Sequence, residues 1–445
     1  MLLLCCSCAW LPLRTHQVDT PEKFSLYSEE PMDSTNRWWE SFQSLELSSL
    51  IDESLTNSPT IEQAWARLEQ AEAVAKKAGA ARWPSLGAEA ATRVTRNSLN
   101  YENVRIYSLG MNASYEIDLW GRVHSTASAA ALDREASREQ FSTAAMTLAS
   151  QTALRWMGII SQQLQTVLIR RQLEANRESL ELVELRFRKS QASALDVFQQ
   201  RQTVAATESL LPQIELAQEI QRNELAALLG RADFQTLEIA ATNLPTIGNP
   251  PPVGIPAEVL ANRPDVRQAG LKLRSADWQV RAAQADRLPT IRLTGSAEYE
   301  NSAFHDLFND WYANLLANVT GPVFEGGRRK AEVDRARAVV RERLAAYRET
   351  VLNAIKEVEN ALVSEKKQRE YIVRLDEQLT AARQSHEEAV YRYRNGLIEY
   401  TTVLVQLNSL QRLERERVVA QQNLLRYRID LYRALGGSWP EALEL

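Results

Sequence analysis

The sequence predicts an α+β chain that is predominantly α-helical and carries an internal duplication. Shifted by 206 positions, the second half lies on the first, so that Gly121-Arg122 falls on Gly327-Arg328 and Gly230 on Gly436. Each half holds two segments of alternating polarity and two helical segments much longer than those of ordinary domains. A repeat of this length is too large for a solenoid unit, so it indicates a duplicated structural half.

Each half opens with an amphipathic helix that ends before a proline. The first begins at Pro59, and the second begins at Pro264 followed by Asp265. Proline suits the first helical position, and an acidic residue there favours the positive end of the helix dipole. The next proline along the chain, Pro84 or Pro289, marks the change to strand.

Four segments in which apolar and polar residues alternate predict four strands per chain. They cover residues 86–95, 107–117, 291–300 and 311–320, and a polar turn separates the first two. Strands of about ten residues with one apolar face suit an outer-membrane barrel. A soluble sheet with its apolar face on a core gives the same alternation. Alternation alone does not separate these two interpretations.

Two very long helices are predicted in each half. Residues 328–395 contain neither glycine nor proline, and a helix of that length reaches about 100 Å. Its counterpart runs from Arg122 to Ser190, interrupted only by Gly158. A further helix follows in each half, over 194–229 and 398–435, and we expect Gly230 and Gly436 to be the C-terminal caps. Such helices must align into a bundle or a tube.

Four strands are too few to close a membrane barrel, for which eight is the practical minimum. An open edge in lipid would leave backbone groups unpaired, so several chains must pool their strands if these cross a membrane. Two copies only just reach eight strands, whereas three give twelve strands and twelve long helices. We therefore expect a trimer.

Composition argues against several function classes. A net charge of −5 provides no basic surface for nucleic acid. The chain offers no metal, cofactor or catalytic motif, because its histidines are far apart and Gly326-Gly327-Arg328 lacks the other residues of a phosphate loop. We expect neither an enzyme nor a cofactor. The four histidines are His16, His124, His305 and His386.

All three cysteines lie in the apolar start of the chain, at Cys5, Cys6 and Cys8. The segment has the character of a signal peptide that ends at a lipoprotein cleavage site, and Cys8, preceded by Ser7, is the best candidate for lipidation. Cys5 stands where leucine is usual, and the basic opening of a signal peptide is missing. An upstream start codon and a chance apolar start both stay open.

The patterns divide the chain into six segments. They are a residual signal and lipobox (1–8), an extended N-terminal arm and equatorial region (9–57), a first structural repeat (58–230), a proline-rich linker (231–257), a second repeat (258–436) and a C-terminal tail (437–445).

Several motifs in the same order resemble those of the TolC-like outer-membrane efflux proteins, most closely the lipoprotein branch that serves RND-type pumps. They are Tyr115–Arg122, Arg263–Val266, Gly321–Arg328 and Tyr393–Gly396, within a resemblance that spans Trp38 to Trp439. It implies a homotrimer with a twelve-stranded transmembrane β-barrel continuous with a long α-helical periplasmic barrel. It also implies a lipid-anchored protein in outer-membrane lipid that docks with a periplasmic adaptor (membrane fusion) protein and an RND-type inner-membrane transporter. Such a duct expels drugs or other small toxic compounds.

The resemblance further implies a gate at the turns between the long helices, 190–194 and 395–399. Asp196 stands where the family has an aspartate that ties neighbouring tip helices, and Tyr393 with Arg392 or Arg394 would supply the donors. A helix cap is the alternative role for Asp196.

The second tip helix departs from the family pattern. Thr402 and Val405 stand where relatives carry acidic residues, so an acidic ring is not expected. A ring of Leu404 or Val405 would narrow the lumen by apolar contact instead, and ordinary helix packing is the alternative for both. For the whole chain, a soluble periplasmic coiled-coil scaffold is the competing interpretation. It explains the long helices but not the four strands.

Overall fold

The computed structural model describes residues 21–24, 37–96, 103–234, 237–437 and 439–443. The predicted lipidation site, Cys8, lies outside the described residues, as does nearly all of the predicted turn after the first strand. No helix in the described part of the chain is both long enough and apolar enough to span a membrane.

The chain contains nine α-helices and four strands among its described residues. The helices are α1 (Leu45–Asn57), α2 (Pro59–Ala80), α3 (Arg122–Arg188), α4 (Ala194–Glu208), α5 (Leu210–Leu228), α6 (Pro256–Asn262), α7 (Pro264–Ala285), α8 (Arg328–Arg394) and α9 (Tyr400–Leu435). The strands are β1 (Ser85–Arg96), β2 (Asn103–Ile117), β3 (Thr290–Asn301) and β4 (Trp311–Thr320). Short 3-10 helices cover Trp38–Phe42, Phe304–Asp306 and Trp439–Ala442.

Two compact units divide the chain, and each draws on both halves of the repeat. One combines residues 66–140 with 265–351. The other combines the described part of 20–65 with 141–264 and 352–445. The two halves are thus interleaved, and the repeat boundaries describe the duplication rather than the compact units.

The first unit contains one antiparallel sheet in the order β1-β2-β3-β4. Its register places Leu86 opposite Ala113, Ala113 opposite Gly295, and Gly295 opposite Leu315, so the predicted apolar residues of all four strands share one face. Among the described residues that face packs on no core, because Leu86 is exposed and Leu315 is 82 % exposed. The alternation therefore does not belong to a sheet packed on its own core.

The duplicated long helices are equal in length. Both α3 and α8 have 67 residues, and their first residues are 206 positions apart. Gly158 does not interrupt α3, contrary to the prediction. A Cβ atom at Gly158 would lie 1.7 Å from the side-chain oxygen of Gln221 in α5, so the glycine allows the two helices to approach closely.

The single helix predicted over 194–229 is wrong, because α4 ends at Glu208 and α5 begins at Leu210. The reason is Pro212, whose nitrogen carries no hydrogen for the carbonyl of Glu208. The second half has Val418 at the matching position, and α9 is continuous. Both predicted caps are confirmed, since Gly230 and Gly436 follow their helices with φ of 73° and 82°.

The described end of the N-terminal arm is not extended, as the sequence suggested, but forms the 3-10 helix and α1. Its aromatic residues are buried in the main core of the second unit. Trp38 stacks on Tyr432 with ring centroids 5.6 Å apart, and Trp39 meets the edge of Trp439 at 4.8 Å. Burial of large aromatic rings in these geometries holds the arm on the helices.

The described part of the proline-rich linker is irregular up to α6, and side chains of α8 and α9 bind its middle. The carbonyl of Gly248 accepts hydrogen bonds from Arg369 (2.5 Å) and Arg428 (3.1 Å). Arg428 is itself buried and pairs with the buried carboxylate of Glu365 at 2.6 Å. A buried ion pair of this kind fixes the linker in one position.

Candidate functional site

The two helix-to-helix turns of the second unit have the same backbone. After α3, Ser190 adopts the left-handed conformation (φ 57°) and the amide of Gln191 donates to the carbonyl of Arg186 at 2.8 Å. After α8, Gly396 takes this position (φ 72°), and the amide of Leu397 bonds in the same way at 2.9 Å. This is the usual helix end with a left-handed residue, for which glycine carries no steric cost.

Asp196 caps its own helix. Its carboxylate accepts a hydrogen bond from the amide of Ser193 at 2.9 Å, and the Ser193 hydroxyl accepts one from the amide of Asp196 at 3.1 Å. This reciprocal pair is a capping box. At the second turn Glu399 and Thr402 occupy the matching positions, and Glu399 makes no side-chain cap bond. Within one chain, the alternative role foreseen for Asp196 is therefore present.

The predicted hydrogen-bond donors to Asp196, which are Arg392, Arg394 and Tyr393, have different neighbours in the structure. Arg392 is exposed and donates to Glu388 at 2.7 Å, and Arg394 is also exposed. In the part of the chain that is described, neither arginine bonds to Asp196. Tyr393 instead lies under a residue that the prediction did not include: the guanidinium carbon of Arg186 is 4.5 Å from the centre of its ring. The repeat could have pointed to Arg186, because Arg186 occupies the position in the first half that Arg392, a predicted donor, occupies in the second.

A second tyrosine continues this contact into the helix bundle. The rings of Tyr393 and Tyr400 are 5.0 Å apart, and the Tyr400 hydroxyl donates to the side-chain oxygen of Gln200 at 2.8 Å. Burial raises the pKa of Tyr400, and the neighbouring Tyr393 and Asp196 raise it further. Burial likewise raises the pKa of Tyr393, against the opposing effect of Arg186. Both hydroxyls are therefore neutral and can donate hydrogen bonds at physiological pH.

A buried layer of amides joins α3, α4 and α9 behind the tyrosines. Gln200 donates to the carbonyl of Asn176 at 2.7 Å, and Asn176 in turn exchanges hydrogen bonds with Gln411 and reaches Thr207. Each member has a partner, so the layer stabilises one register of the helices.

Leu404 and Val405, the two residues predicted to narrow the lumen, lie on different faces of α9. Leu404 is buried, and it packs with Val183, Val197 and Val403 inside the chain. It does not line an opening in the single chain, contrary to one of the two predictions. Val405 is 62 % exposed, and Thr402 is exposed as well.

Two polar atoms at this site have no partner within the described chain. They are Nε of Arg186 and the hydroxyl of Tyr393, and both are buried. Buried polar atoms normally carry a hydrogen bond. The site is thus built from contacts between helix ends, and it brings together residues from both halves of the repeat.

Known proteins of one family resemble this chain along both halves of the repeat. The family described as outer membrane efflux protein matches residues 50–231 and 255–437, one stretch for each half. The chain is 32 % identical over 422 residues to the pyoverdine export outer membrane protein OpmQ of Pseudomonas aeruginosa, covering 91 % of this chain and 87 % of the relative. It is 26 % identical to the cation efflux system protein CusC of Escherichia coli, covering 94 % and 93 %.

Solved structures match over nearly the entire chain. The outer-membrane channel OprN has a TM-score of 0.90 at 26 % identity and covers 96 % of this chain and 99 % of its own. A crystal structure of CusC has a TM-score of 0.89 at 25 % identity, with 97 % and 100 % covered.

These likenesses confirm the predicted α+β fold, in which the homotrimer pools its strands in a transmembrane β-barrel continuous with a periplasmic helical barrel. They also confirm the predicted role. The protein is the outer-membrane exit duct of a tripartite efflux pump, and it works with a periplasmic adaptor and an inner-membrane transporter. A soluble scaffold and an enzyme are thereby excluded. The chain belongs to the outer membrane efflux protein family.

Proposed function

We propose that this exit duct is gated at the two helix-to-helix turns and that the contact between Arg186 and Tyr393 helps to hold the gate closed. Arg186 ends the first hairpin of long helices and Tyr393 ends the second, and 4.5 Å separates the guanidinium from the ring. The two hairpins of one chain cannot separate at their ends without losing this contact. That single observation supports the gate most directly.

The contacts at the site have a strength that suits a reversible closure. A cation–π contact contributes about 0.5–2 kcal/mol, depending on its exposure. The hydrogen bond from Tyr400 to Gln200 adds about 1 kcal/mol. Coupling between two binding sites is typically about 1–3 kcal/mol, so adaptor binding at each chain is strong enough to offset these contacts.

Asp196 can act as a cap and as a tie at once. An ionised carboxylate has about four acceptor positions, and the cap uses one of them. We infer that a remaining position accepts a bond from Arg392 or Arg394 of a neighbouring copy in the trimer. Both arginines are exposed in the single chain, which supports this role. The hydroxyl of Tyr393 is buried in its own chain, so it can approach Asp196 of the same copy only.

A pair of substitutions separates the tie from the cap. Asp196→Ala removes both the cap and the carboxylate, whereas Ser193→Ala removes half of the capping box and keeps the carboxylate. We expect Asp196→Ala to raise the resting single-channel conductance of the purified trimer in planar bilayers, with Ser193→Ala close to wild type. Arg186→Gln should also raise conductance. If the Asp196 and Ser193 variants behave alike, Asp196 is a cap alone and the tie is wrong.

Val405 is the proposed apolar ring of the closed gate, since Leu404 is used in packing. Three copies of one exposed side chain at the narrow end of a duct set what passes through it. Val405→Asp should therefore increase the preference for cations over anions in the same bilayer recordings. Val419→Asp is the matched control, because Val419 is also exposed on α9 but lies 14 residues further from the turn, and an equal effect there would contradict the assignment to Val405.

We also propose lipidation at Cys8, from the apolar segment and the small residue before it. Cys8→Ser should abolish incorporation of labelled palmitate, whereas Cys5→Ser and Cys6→Ser should leave it unchanged. Loss of label in one of these controls instead would move the lipidation site to that cysteine.

A further inference from the structure

The junction between β4 and α8 exposes large apolar side chains next to the sheet. In the single chain, Val323 is fully exposed and Phe324 is 89 % exposed. They follow the end of β4 after two residues, and the apolar face of β4 carries the exposed side chains of Leu315 and Val319. In the assembled duct this face of the sheet lies in the lipid of the outer membrane. The apolar surface of the sheet therefore continues into the junction.

Cationic side chains surround the same two residues. Arg287, Arg328 and Lys330 line one open pocket together with Val323 and Phe324. Arg328 and Arg329 are paired with Glu325 at 2.8 and 2.7 Å, and Arg329 is also paired with Asp286 at 3.0 Å. Arg287 and Lys330 are exposed, and neither makes an ion pair with another described residue. The pocket thus combines an apolar surface with unneutralised positive charge.

The duplicated half shows what the start of α8 lacks. In the first half, the carboxylate of Asp118 accepts hydrogen bonds from the amides of Val123 (3.0 Å) and His124 (2.7 Å) at the start of α3. Phe324 occupies the position of Asp118 in the second half, 206 positions later. Within the described residues, no carboxylate accepts from the matching amides of α8.

These amides belong to Arg329 and Lys330. The first turn of α8 carries no acidic residue and begins with three cationic ones, 328–330, of which only Lys330 has no carboxylate partner among the described residues. The positive end of the helix dipole adds to this charge, and acidic groups are normally favoured there. An anion supplied from outside the chain would satisfy the amides and offset the charge.

We propose that the β4–α8 junction binds the headgroup phosphate of an anionic phospholipid in the periplasmic leaflet of the outer membrane. Because the strands cross that membrane and the helices lie in the periplasm, the place where a strand meets a helix lies at this leaflet. Apolar side chains that enter the acyl boundary beside cations that meet phosphates are the pattern of an interfacial anchor. Val323 and Phe324 supply the first part, and Arg287 and Lys330 supply the second.

The other junctions of the sheet follow the same pattern in weaker form. Trp83, Leu119 and Leu288 are exposed where the chain passes between a helix and a strand, and arginines precede two of them directly. The β4–α8 junction differs from these in having both free helix amides and two cations, Arg287 and Lys330, that have no carboxylate partner among the described residues. It is therefore the place where the headgroup is held.

Native mass spectrometry of the full-length trimer tests the proposal by titration with phosphatidylglycerol and, separately, phosphatidylcholine. Wild type should retain phosphatidylglycerol more tightly. Each cation near a membrane surface contributes about fivefold to affinity, so Arg287→Gln with Lys330→Gln should weaken retention by about thirtyfold. Lys366→Gln with Lys367→Gln removes the same charge elsewhere on α8 and should change little.

Phe324→Asp supplies a second test that does not depend on loss of charge from α8. It copies the Asp118 cap, so its carboxylate should occupy the amides of α8 and reduce phosphatidylglycerol retention by about tenfold, with the fold intact. Equal retention of the two lipids by wild type would overturn the proposal. Displacement of the lipid by millimolar inorganic phosphate would also overturn it, because the site would then bind free phosphate. Conductance should stay at the wild-type value in these variants, which separates this test from that of the gate.

Discussion

Exchanging the left-handed residues of the two helix turns is the sharpest test of how the tips are built. Ser190 and Gly396 hold matching positions with φ of 57° and 72°. A left-handed conformation costs a residue with a side chain about 1–2 kcal/mol. Glycine has no such cost, but it loses about 0.5–1 kcal/mol more backbone entropy on folding. We therefore expect Ser190→Gly to stabilise the first turn by up to about 1 kcal/mol, and Gly396→Ser to destabilise the second by the same amount.

Backbone strain, and not a steric clash, is the effect expected of Gly396→Ser. A Cβ atom at Gly396 would meet no other atom within 4 Å, so a serine there causes no clash. Hydrogen exchange at the amides of Gln191 and Leu397 measures local opening, because each closes its turn on a helix carbonyl. Exchange should slow by up to about fivefold at Gln191 in Ser190→Gly and accelerate by a similar factor at Leu397 in Gly396→Ser. Changes of the same sign in both variants would refute the strain argument.

Three further predictions concern stability and pH. Gly230→Ala should destabilise the protein by about 2–4 kcal/mol in thermal unfolding, because φ is 73° and its Cβ would lie 2.4 Å from the carbonyl oxygen of Asn57. Glu365→Gln should cost about 3 kcal/mol, since it leaves the buried charge of Arg428 unpaired, and an unchanged midpoint would contradict that role. Burial raises the pKa of Tyr400 above its ordinary 10.0, so unfolded chains ionise first and stability should fall as pH rises above 10.0. Tyr400→Phe should lack its share of that alkaline loss.

Local signals in the sequence predicted most of the elements, because those elements depend on neighbouring residues. The absence of glycine and proline over residues 328–395 was enough for α8, and alternation was enough for four strands on one face. A capping role for Asp196 was foreseen as the alternative to a tie, but not that Ser193 is the N-cap, although a serine three residues before an acid is a local motif. The break after Glu208 was missed although Pro212 gives it a local cause.

Contacts between segments that are distant in the chain could not be predicted from the sequence. The stacking of Arg186 on Tyr393 joins residues that are far apart in the chain, and only the packing of two hairpins brings them together. The choice between Leu404 and Val405 turned on one residue of helix rotation, which periodicity does not resolve at the end of an element. The role of Gly158 depended on Gln221, a residue of another helix.

The four-stranded sheet sets the order in which this protein can be made. Among the described residues of one chain, β1 and β4 each pair on one side only, and the apolar face of the sheet is exposed. The two edge strands can pair only with strands of other copies. Formation of the complete barrel must therefore depend steeply on the local concentration of unassembled chains. The helical unit has a buried core of its own and so depends less on those copies. Dilute expression should therefore stall the chain with its helices folded and its strands still open to chaperones and proteases.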